Sequence, residues 1–518
     1  MNLSTPHLIP PIPRVLALVL VLLAQCGQGA EARLQAGTFK VDITDYQAGP
    51  VNDPSYAKVL ALKSGGKVIT LITIDAVAIG EIGRIGNGYL PKVRAELQKE
   101  FQLEPQNILI NASHCHSIVR GDVDQLTVQA VREALKRLVP VNVGAGRGRE
   151  AEIMENRRLR LKDGSETDVR HAYSMPRDED VAGVGPIDPE IGLLRLDRLD
   201  GTTLAAVYNF ACHPIQGVPS GANTADLPGF ASQVIEEGLG HGAMAFFVQG
   251  CAGDINPAFY KAVHLPRDAA ALGRKLGLSV ITGLRQIQTR SNSRLHLVHE
   301  QLKLPRGKDL EHRIAKLTEE QSRLVQSFQG TTLNFKTFLP LYIQHRISPE
   351  FPASYRNRYL HEQALGREDL AKFDASNRAS LEAYLQNIHT MERLTRLQAN
   401  LALLKRHQAE SVAVGQAAID AEITAVAIGD FELVTFPGEL TVEIGLAIKR
   451  RARGPFTFVA GYTNGYLYYL PTEDQRNNTG YAQEDCDCIV APEWRKLFDA
   501  EVDKLLAQLA TPKTQNLP

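Results

Sequence analysis

The feature that most constrains the fold is the regular alternation of short apolar runs with longer amphipathic segments between residue 37 and about residue 300. Residues 39–43, 57–63 and 68–74 are apolar or β-branched runs of strand length, and residues 89–101 have the 3.6-residue period of a helix. Strands that alternate with helices in this way are typical of an α/β domain. We therefore predict an α/β fold with a mixed β-sheet core flanked by helices.

A different composition marks residues 308–410, where Glu, Lys, Arg, Gln and Leu recur at helical spacing. We interpret this stretch as a mostly helical insertion, with a coiled pair of helices as the alternative, and we expect residues 338–342 to break it. The α/β pattern resumes at residues 423–428 and 431–436. The sequence therefore predicts one domain over residues 33–510, with the insertion inside it.

The N-terminal residues predict export. A basic residue precedes the apolar run at residues 15–24, which is too short to span a bilayer, and residues 30–32 fit the cleavage site of a secretory signal peptide. We predict a signal peptide over residues 1–32 and a periplasmic or secreted mature protein. The alternative is a lipoprotein box at residues 23–26, which would leave Cys26 lipidated.

Charge and cysteine content argue against nucleic-acid binding and against a disulfide scaffold. The 518-residue chain has 57 basic and 58 acidic residues, so its net charge of −1 offers no electrostatic attraction for a nucleic acid. Apart from Cys26, the cysteines are five in number, and their apolar or glycine-rich contexts are typical of buried free thiols. Cys115 lies between two histidines, and on a strand it would face away from them.

A histidine pair follows one of the predicted strands. His114 and His116 come after the apolar residues 108–110, and side chains at i and i+2 of a strand share a face. His213 and Glu439 follow two other strands. Two or three histidines and one carboxylate are a common ligand set for catalytic zinc. Four tyrosines in the last part of the chain are further candidates: Tyr466, Tyr468, Tyr469 and Tyr481.

Each of these candidates has a purely structural alternative. A backbone hydrogen bond would account for His114 and burial in the core for His213, whereas Glu439 would cap the helix that follows it. Tyr469 lies in an aromatic cluster and would then be a packing residue. Three aspartates are candidates either for orienting the histidines or for turn and cap roles: Asp75, Asp226 and Asp254.

Several short motifs together resemble one family. The segment Ser-His-Cys-His-Ser at residues 113–117 resembles the Thr-His-Thr-His-Ser segment of the neutral/alkaline, non-lysosomal ceramidases. Further motifs follow in the family's order: Asn156-Arg157, residues 209–213, Ala225-Asp226, residues 229–232, Gly253-Asp254, residues 437–441 and residues 461–472. The resemblance extends from about residue 37 to residue 497 and covers the catalytic domain of that family.

The resemblance implies a zinc enzyme that cleaves a linear amide. It implies four zinc ligands: His114, His213, Glu439 and Tyr469. It also implies that His116 transfers a proton or contacts the oxyanion, that Arg157 helps to place the substrate, and that Tyr481 is a second tyrosine of the pocket.

Three departures from the family pattern bear on the substrate. Asn256 stands where the family has a serine after its Gly-Asp pair, so it is a candidate catalytic residue, or one that only repositions a hydrogen bond if metal-activated water is the nucleophile. Residues 118–121 replace a stretch rich in glycine and proline. The chain also ends soon after residue 497, without room for the family's additional C-terminal β domain. These departures retain the implied metal ligands and put ceramide itself in question.

We therefore predict an exported zinc-dependent hydrolase that cleaves the amide bond of an N-acyl compound, a ceramide-like lipid or another N-acyl substrate, with metal-activated water as nucleophile. The alternatives are an esterase that uses the same site and a catalytically inactive binding protein on the same scaffold, the latter motivated by Asn256. A lipid substrate implies peripheral contact with a membrane. The sequence leaves the oligomeric state open.

Overall fold

The structure is a computed structural model that describes residues 33–168, 170, 175–262, 264–479 and 482–510. Strands and helices are interspersed along most of these residues. The strands are β1 (Gln35–Asp42), β2 (Tyr56–Ser64), β3 (Lys67–Ile74), β4 (Ile108–Ala112), β5 (Val139–Arg149), β6 (Met154–Asn156), β7 (Arg158–Leu161), β8 (Glu166–Asp168), β9 (Val181–Val184), β10 (Glu190–Arg198), β11 (Thr203–Phe210), β12 (Met244–Gln249), β13 (Ile255–Pro257), β14 (Leu295–Pro305), β15 (Ala418–Ile428), β16 (Phe431–Thr435), β17 (Glu439–Leu440), β18 (Phe456–Ala460) and β19 (Tyr469–Leu470).

The helices are α1 (Tyr89–Phe101), α2 (Val123–Lys136), α3 (Asp226–Leu239), α4 (Ala269–Leu284), α5 (Leu310–Gln326), α6 (Phe335–Ile347), α7 (Arg356–Ala364), α8 (Asp369–Val414), α9 (Val442–Arg451), α10 (Glu473–Arg476), α11 (Gln483–Cys486) and α12 (Trp494–Ala510). Short 3₁₀ turns occur at Pro105–Asn107 and Asp178–Asp180.

Two sheets form the centre of the molecule. The larger sheet has eight strands in the order β12-β11-β10-β5-β1-β2-β3-β4, and the smaller has four in the order β14-β15-β16-β18. Most neighbouring strands are antiparallel, whereas β3–β4, β11–β12 and β16–β18 are parallel pairs. The core is therefore a mixed sheet, as the sequence predicts.

Both faces of the larger sheet are buried, which explains why its strands are apolar at consecutive positions. In β3, Ile69 and Leu71 pack toward the smaller sheet with Leu433 and Phe458. Ile72, one residue on, faces the opposite side, because successive side chains of a strand alternate. Helices α1 and α2 cover that outer face at one end of the sheet, and α3 and α4 cover it at the other.

Helix α12 covers the outer face of the smaller sheet, so the molecule has an α/β/β/α layering. Trp494 and Phe498 of this helix pack against Phe436, with ring centroids 5.7 and 4.8 Å from it. The predicted fold class, an α/β core with a large helical segment, is confirmed.

One buried asparagine joins three strand ends. Asn111, near the end of β4, accepts a hydrogen bond from the backbone N–H of Gln249 at the end of β12, with the two atoms 2.8 Å apart. Its amide group donates to the carbonyl of Gly461 and the hydroxyl of Thr463, just beyond β18, over 2.8 and 2.9 Å. The larger sheet curls enough for its two edge strands to meet here, and the loops after these strands share one region.

The segment from α5 to α8 is helical, as the sequence predicts. Leu317 of α5 packs with Leu401 and Leu404 of the long helix α8, so these two helices form a packed pair. The expectation that residues 338–342 break the helical pattern is wrong, because they lie within α6. Phe338 stacks on Tyr342 and on Tyr384 of α8, and this packing offsets the hydrogen bond that Pro340 removes.

Two further expectations concern disulfide bonds and membrane-spanning segments. The five cysteines of the described residues are buried and free, which confirms the prediction that they form no disulfide framework. Among the helices of the described ranges, none combines the length and apolar character needed to cross a membrane. The predicted signal peptide and Cys26 lie outside the described residues.

Candidate functional site

The four predicted ligands lie at the ends or beginnings of strands that meet at one edge of the core. His114 lies two residues after β4, and His213 lies three residues after β11. Glu439 opens β17 and Tyr469 opens β19, and these two residues are direct partners in a short parallel pair. Chain reversals after strands thus bring together side chains that are far apart in the sequence.

The side chains of His114, His213 and Glu439 form a compact, buried group. One potential ligand atom from each lies within 4.8 Å of the others. The Nε2 atoms of His114 and His213 are 3.5 and 3.0 Å from the two carboxylate oxygens of Glu439. The hydroxyl of Tyr469 is 3.5 Å from Nε2 of His213, so the structure places all four predicted ligands around one point.

Backbone carbonyls orient both histidines. Nδ1 of His114 is 2.6 Å from the carbonyl oxygen of Val77, and Nδ1 of His213 is 3.0 Å from that of Ile255. A proton on each Nδ1 satisfies these carbonyls and leaves each Nε2 with a free lone pair toward Glu439. Hydrogen bonds of this kind are the usual way in which a metal-binding histidine is held.

The three aspartates that are candidates for orienting the histidines bond other groups in the structure. Asp75 accepts from the backbone N–H of Tyr56, and Asp226 accepts from those of Gly217 and Leu227. Asp254 accepts from the backbone N–H of Val442, at the start of α9, and from the side chain of Asn156. Within the described residues, these carboxylates accept the donors named above, and none of them makes a hydrogen bond to His114 or His213.

Burial and the neighbouring polar groups together determine the protonation of these three side chains. Burial lowers the pKa of His114 to about 4 and also lowers the pKa of His213, so both rings are neutral at pH 7. Burial raises the pKa of Glu439, but the two histidines and the hydroxyl of Tyr466 outweigh it and hold that pKa well below its usual range. Two neutral imidazoles and one carboxylate fit the chemistry of a zinc site.

Two tyrosines position the carboxylate. The hydroxyl of Tyr462 donates to one oxygen of Glu439 over 3.1 Å, and the hydroxyl of Tyr466 donates to the other. Tyr462 is completely buried and has a φ of 53°, and His114 has a φ of 66°. Residues other than glycine are rare in this left-handed region and concentrate at functional sites. Tyr462 is not among the residues predicted from the sequence.

Arg157 connects the candidate ligands to a buried acidic residue. Its Nε donates to Glu484 over 2.7 Å, and its two terminal nitrogens donate to Asn256, to the carbonyl of Gly253 and to the hydroxyl of Tyr469. Asn256 therefore braces Arg157, and it is not among the residues that line the adjoining cavity. Glu484 is not among the residues predicted from the sequence, although an acidic residue in an otherwise buried segment indicates a buried cation.

A cavity of about 520 Å³ opens onto the group. Its walls include His114, His213, Arg157 and Tyr469, together with His116. The ring of His116 is exposed to this cavity, and its centroid is 5.6 Å from that of His114. Desolvation by the cavity walls, followed by the effect of His114, lowers the pKa of His116.

The assumption that His114 and His116 lie on one strand face is wrong. Strand β4 ends at Ala112, and the left-handed backbone at His114 turns the chain before the second histidine. The turn buries His114 and leaves His116 exposed, so the two rings have different environments. Cys115 is buried between them, outside the cavity lining. Tyr481 lies outside the described residues.

The layered α/β core has a ceramidase-like fold. One crystal structure similar to this chain is the neutral ceramidase from Pseudomonas aeruginosa, with a TM-score of 0.58 and 16% sequence identity over 94% of this chain and 76% of that chain. A ceramidase complexed with C2 has a TM-score of 0.56, with the same identity and the same coverage. No protein-family model and no curated protein matches the sequence.

Proposed function

We propose that this protein is an exported, zinc-dependent hydrolase that cleaves the linear amide bond of an N-acyl compound. The observation that carries the proposal is the convergence of His114, His213 and Glu439 within 4.8 Å at the wall of a cavity large enough for a small amphiphilic substrate. Tyr469 would complete the ligand set. The proposed export rests on the apolar run at residues 15–24.

The chemistry of the proposed reaction is the addition of water to an amide carbonyl. A zinc ion, when bound, supplies a Lewis acid that polarises a carbonyl and lowers the pKa of water. A carbon–oxygen bond forms, the carbon–nitrogen bond breaks, and the proton lost by water moves to the departing amine. The products are a carboxylic acid and an amine.

His116 is suited to transfer that proton. It lines the cavity beside His114, and its lowered pKa leaves the ring neutral at pH 7, so it can accept a proton before it donates one. Arg157 lines the same space and can present an N–H donor where negative charge develops on the carbonyl oxygen. The buried carboxylate of Glu484 keeps the guanidinium of Arg157 in place.

The test combines metal analysis with variants of the ligands. We expect purified wild-type protein to contain one zinc ion per chain and to hydrolyse N-acyl amides, with the ester analogues assayed in parallel. His114→Ala and His213→Ala should lose zinc and reduce kcat/KM by about 1,000-fold or more, because each removes one of few metal ligands. His361→Ala, which changes an exposed histidine of α7, is the matched control.

Full activity after complete removal of metal would refute the proposal. Zinc binding without turnover of any acyl substrate would favour an inactive binding protein, and turnover of esters alone would favour an esterase.

A further inference from the structure

The cavity beside the proposed metal centre carries an excess of positive charge. Its lining contains three arginines, Arg157, Arg170 and Arg267, and one acidic side chain apart from the metal ligands, that of Asp226. The two oxygens of Asp226 accept backbone N–H groups of Gly217 and Leu227 over 2.6 and 2.7 Å. This carboxylate is therefore directed at its own loop, and it does not pair with the arginines.

Two of the arginines form ion pairs with buried carboxylates, and one of these carboxylates also accepts hydrogen bonds from other groups. Arg157 pairs with Glu484, and Arg170 pairs with Asp487 over 2.9 Å. Asp487 also accepts hydrogen bonds from Arg406 and His407, each over 2.7 Å, so one carboxylate serves several donors. The guanidinium of Arg170 lies 4.4 Å from the centre of the Tyr469 ring, immediately beside the proposed metal ligands.

Two further cations lie beside Tyr260, which lines the cavity: Arg267 belongs to the lining, and Lys261 lies outside it. Lys261 and Arg267 both lie 4.8 Å from the centre of the Tyr260 ring, and Lys261 donates a hydrogen bond to the carbonyl of Arg170. Neither forms an ion pair with a residue in the described part of the chain. Burial, followed by the charge of Arg157, lowers the pKa of Lys261 to about 8, as expected in a positive field. We call Arg170, Lys261 and Arg267 the cationic wall.

Another part of the cavity is apolar. Ile118 lies in the chain after the histidine pair, and Pro214, Ile215 and Val218 come from the loop that follows His213. These side chains offer surface to an acyl chain without competing for its polar groups. The cavity therefore combines an apolar surface with a cationic wall beside the proposed ligands, which is an arrangement suited to an anionic amphiphile.

We propose that the substrate is an N-acyl amine whose amine portion carries an anionic group, either a carboxylate, a sulfonate or a phosphate ester. The acyl chain contacts the apolar surface, and the anionic group contacts the cationic wall. This inference rests on the proposed function, because it names the substrate class of the same site. Hydrolysis yields a fatty acid and an anionic amine.

The experiment compares pairs of probes that differ in one charge. N-dodecanoylglycine, N-dodecanoyltaurine and N-dodecanoyl-phosphoethanolamine are the anionic probes, and N-dodecanoylglycinamide is the neutral one. We expect wild-type kcat/KM to be about tenfold or more higher for at least one anionic probe than for the neutral probe, and the preferred probe identifies the anionic group. Arg267→Gln and Lys261→Gln should each reduce this ratio several-fold, mainly through KM.

A matched control and a binding measurement separate this inference from the proposed function. Arg453→Gln changes an exposed arginine outside the cavity lining and should leave the ratio unchanged. Equal turnover of charged and neutral probes, unaffected by Arg267→Gln, would overturn the inference and leave the proposed function intact. If no probe is hydrolysed, the proposed function fails, and calorimetric binding of the same probes to wild type and Arg267→Gln decides whether the cavity selects anions.

Discussion

At the scale of single residues, the candidate site consists of ionisable groups that water barely reaches. His114, His213 and Glu439 are all less than 3% exposed, and each has its remaining polar atoms satisfied by a carbonyl or a tyrosine hydroxyl. Such burial is expensive unless charges are paired or a metal is coordinated. The buried site is therefore compatible with a bound metal ion. Burial also shifts the pKa values of neighbouring ionisable groups.

Asp254 provides a prediction about pH. Burial raises its pKa from 3.8 to about 6, so the folded protein binds a proton that the unfolded chain releases in this interval. The resulting stabilisation is fully present below pH 3.8 and is lost as the pH rises through 6. When the pH falls from 7 to 4.5, the unfolding free energy of wild type should change by about 1–3 kcal/mol more favourably than that of Asp254→Asn.

Urea unfolding at the two pH values measures this difference directly. Asp178→Asn, which alters an exposed aspartate, serves as the control. An identical pH dependence for Asp254→Asn and wild type would contradict the prediction.

At the scale of elements, the site depends on close contact between loops that follow the strands. Gly253 donates its N–H to the carbonyl of Leu440 over 2.9 Å, so the loop after β12 lies directly against β17. A Cβ atom at Gly253 would lie 2.7 Å from the carbonyl oxygen of Glu439 and 3.0 Å from that of Leu440. Both obstructing atoms belong to the backbone, so the strand that carries the candidate ligand would have to move.

Gly253→Ala should therefore perturb the candidate site more than the addition of a single methyl group usually does. We expect a loss of about 1–3 kcal/mol in unfolding free energy, together with a zinc affinity about tenfold weaker, since the added methyl group displaces Glu439. Chemical denaturation and competition with a zinc chelator measure the two effects. Gly86→Ala is the control, because a Cβ there meets no atom within 4 Å. Unchanged zinc affinity in Gly253→Ala would contradict the expectation.

The long helix α8 also reaches the site. His407 is buried, and its Nε2 is 2.7 Å from the carboxylate of Asp487, whose backbone carbonyl accepts the N–H of Tyr469 over 3.1 Å. The ring of His407 packs edge-on against Tyr468, with centroids 4.7 Å apart. The helical segment thus supports the strand that carries the fourth candidate ligand.

At the scale of the whole molecule, a metal ion would link distant parts of the chain. The candidate ligands follow or begin β4, β11, β17 and β19, which belong to both ends of the larger sheet and to a separate short pair. A ligand that binds only the folded state stabilises it by RT ln(1 + [L]/Kd), or about 2.7 kcal/mol at 100 times Kd.

Removal of zinc should consequently lower the melting temperature of the whole protein. We expect a chelator to lower Tm by several degrees, and added zinc to restore it. His114→Ala should have the same Tm with and without zinc, whereas His361→Ala should respond as wild type does. Calorimetric scans of the three proteins provide the measurement, and a zinc-dependent Tm in His114→Ala would contradict the proposed ligand.

The extent to which the sequence predicts the structure differs between the fold and the site. Residues 89–101 are helical over the predicted bounds, because their apolar positions recur with a clear helical period. The helix across Pro340 was not predicted, since aromatic packing from a distant helix stabilises it. Tyr462 and Glu484 were missed because their roles depend on partners far away in the chain.

The sequence by itself determined the α/β character, the helical segment and the residue types available for a metal site, because local periodicity and composition encode them. The tertiary structure alone decided that His114 and His116 differ, that Asn111 joins the ends of three strands, and that cations collect on one wall of the cavity. These outcomes depend on chain reversals after the strands and on contacts between residues hundreds of positions apart, which no local pattern contains.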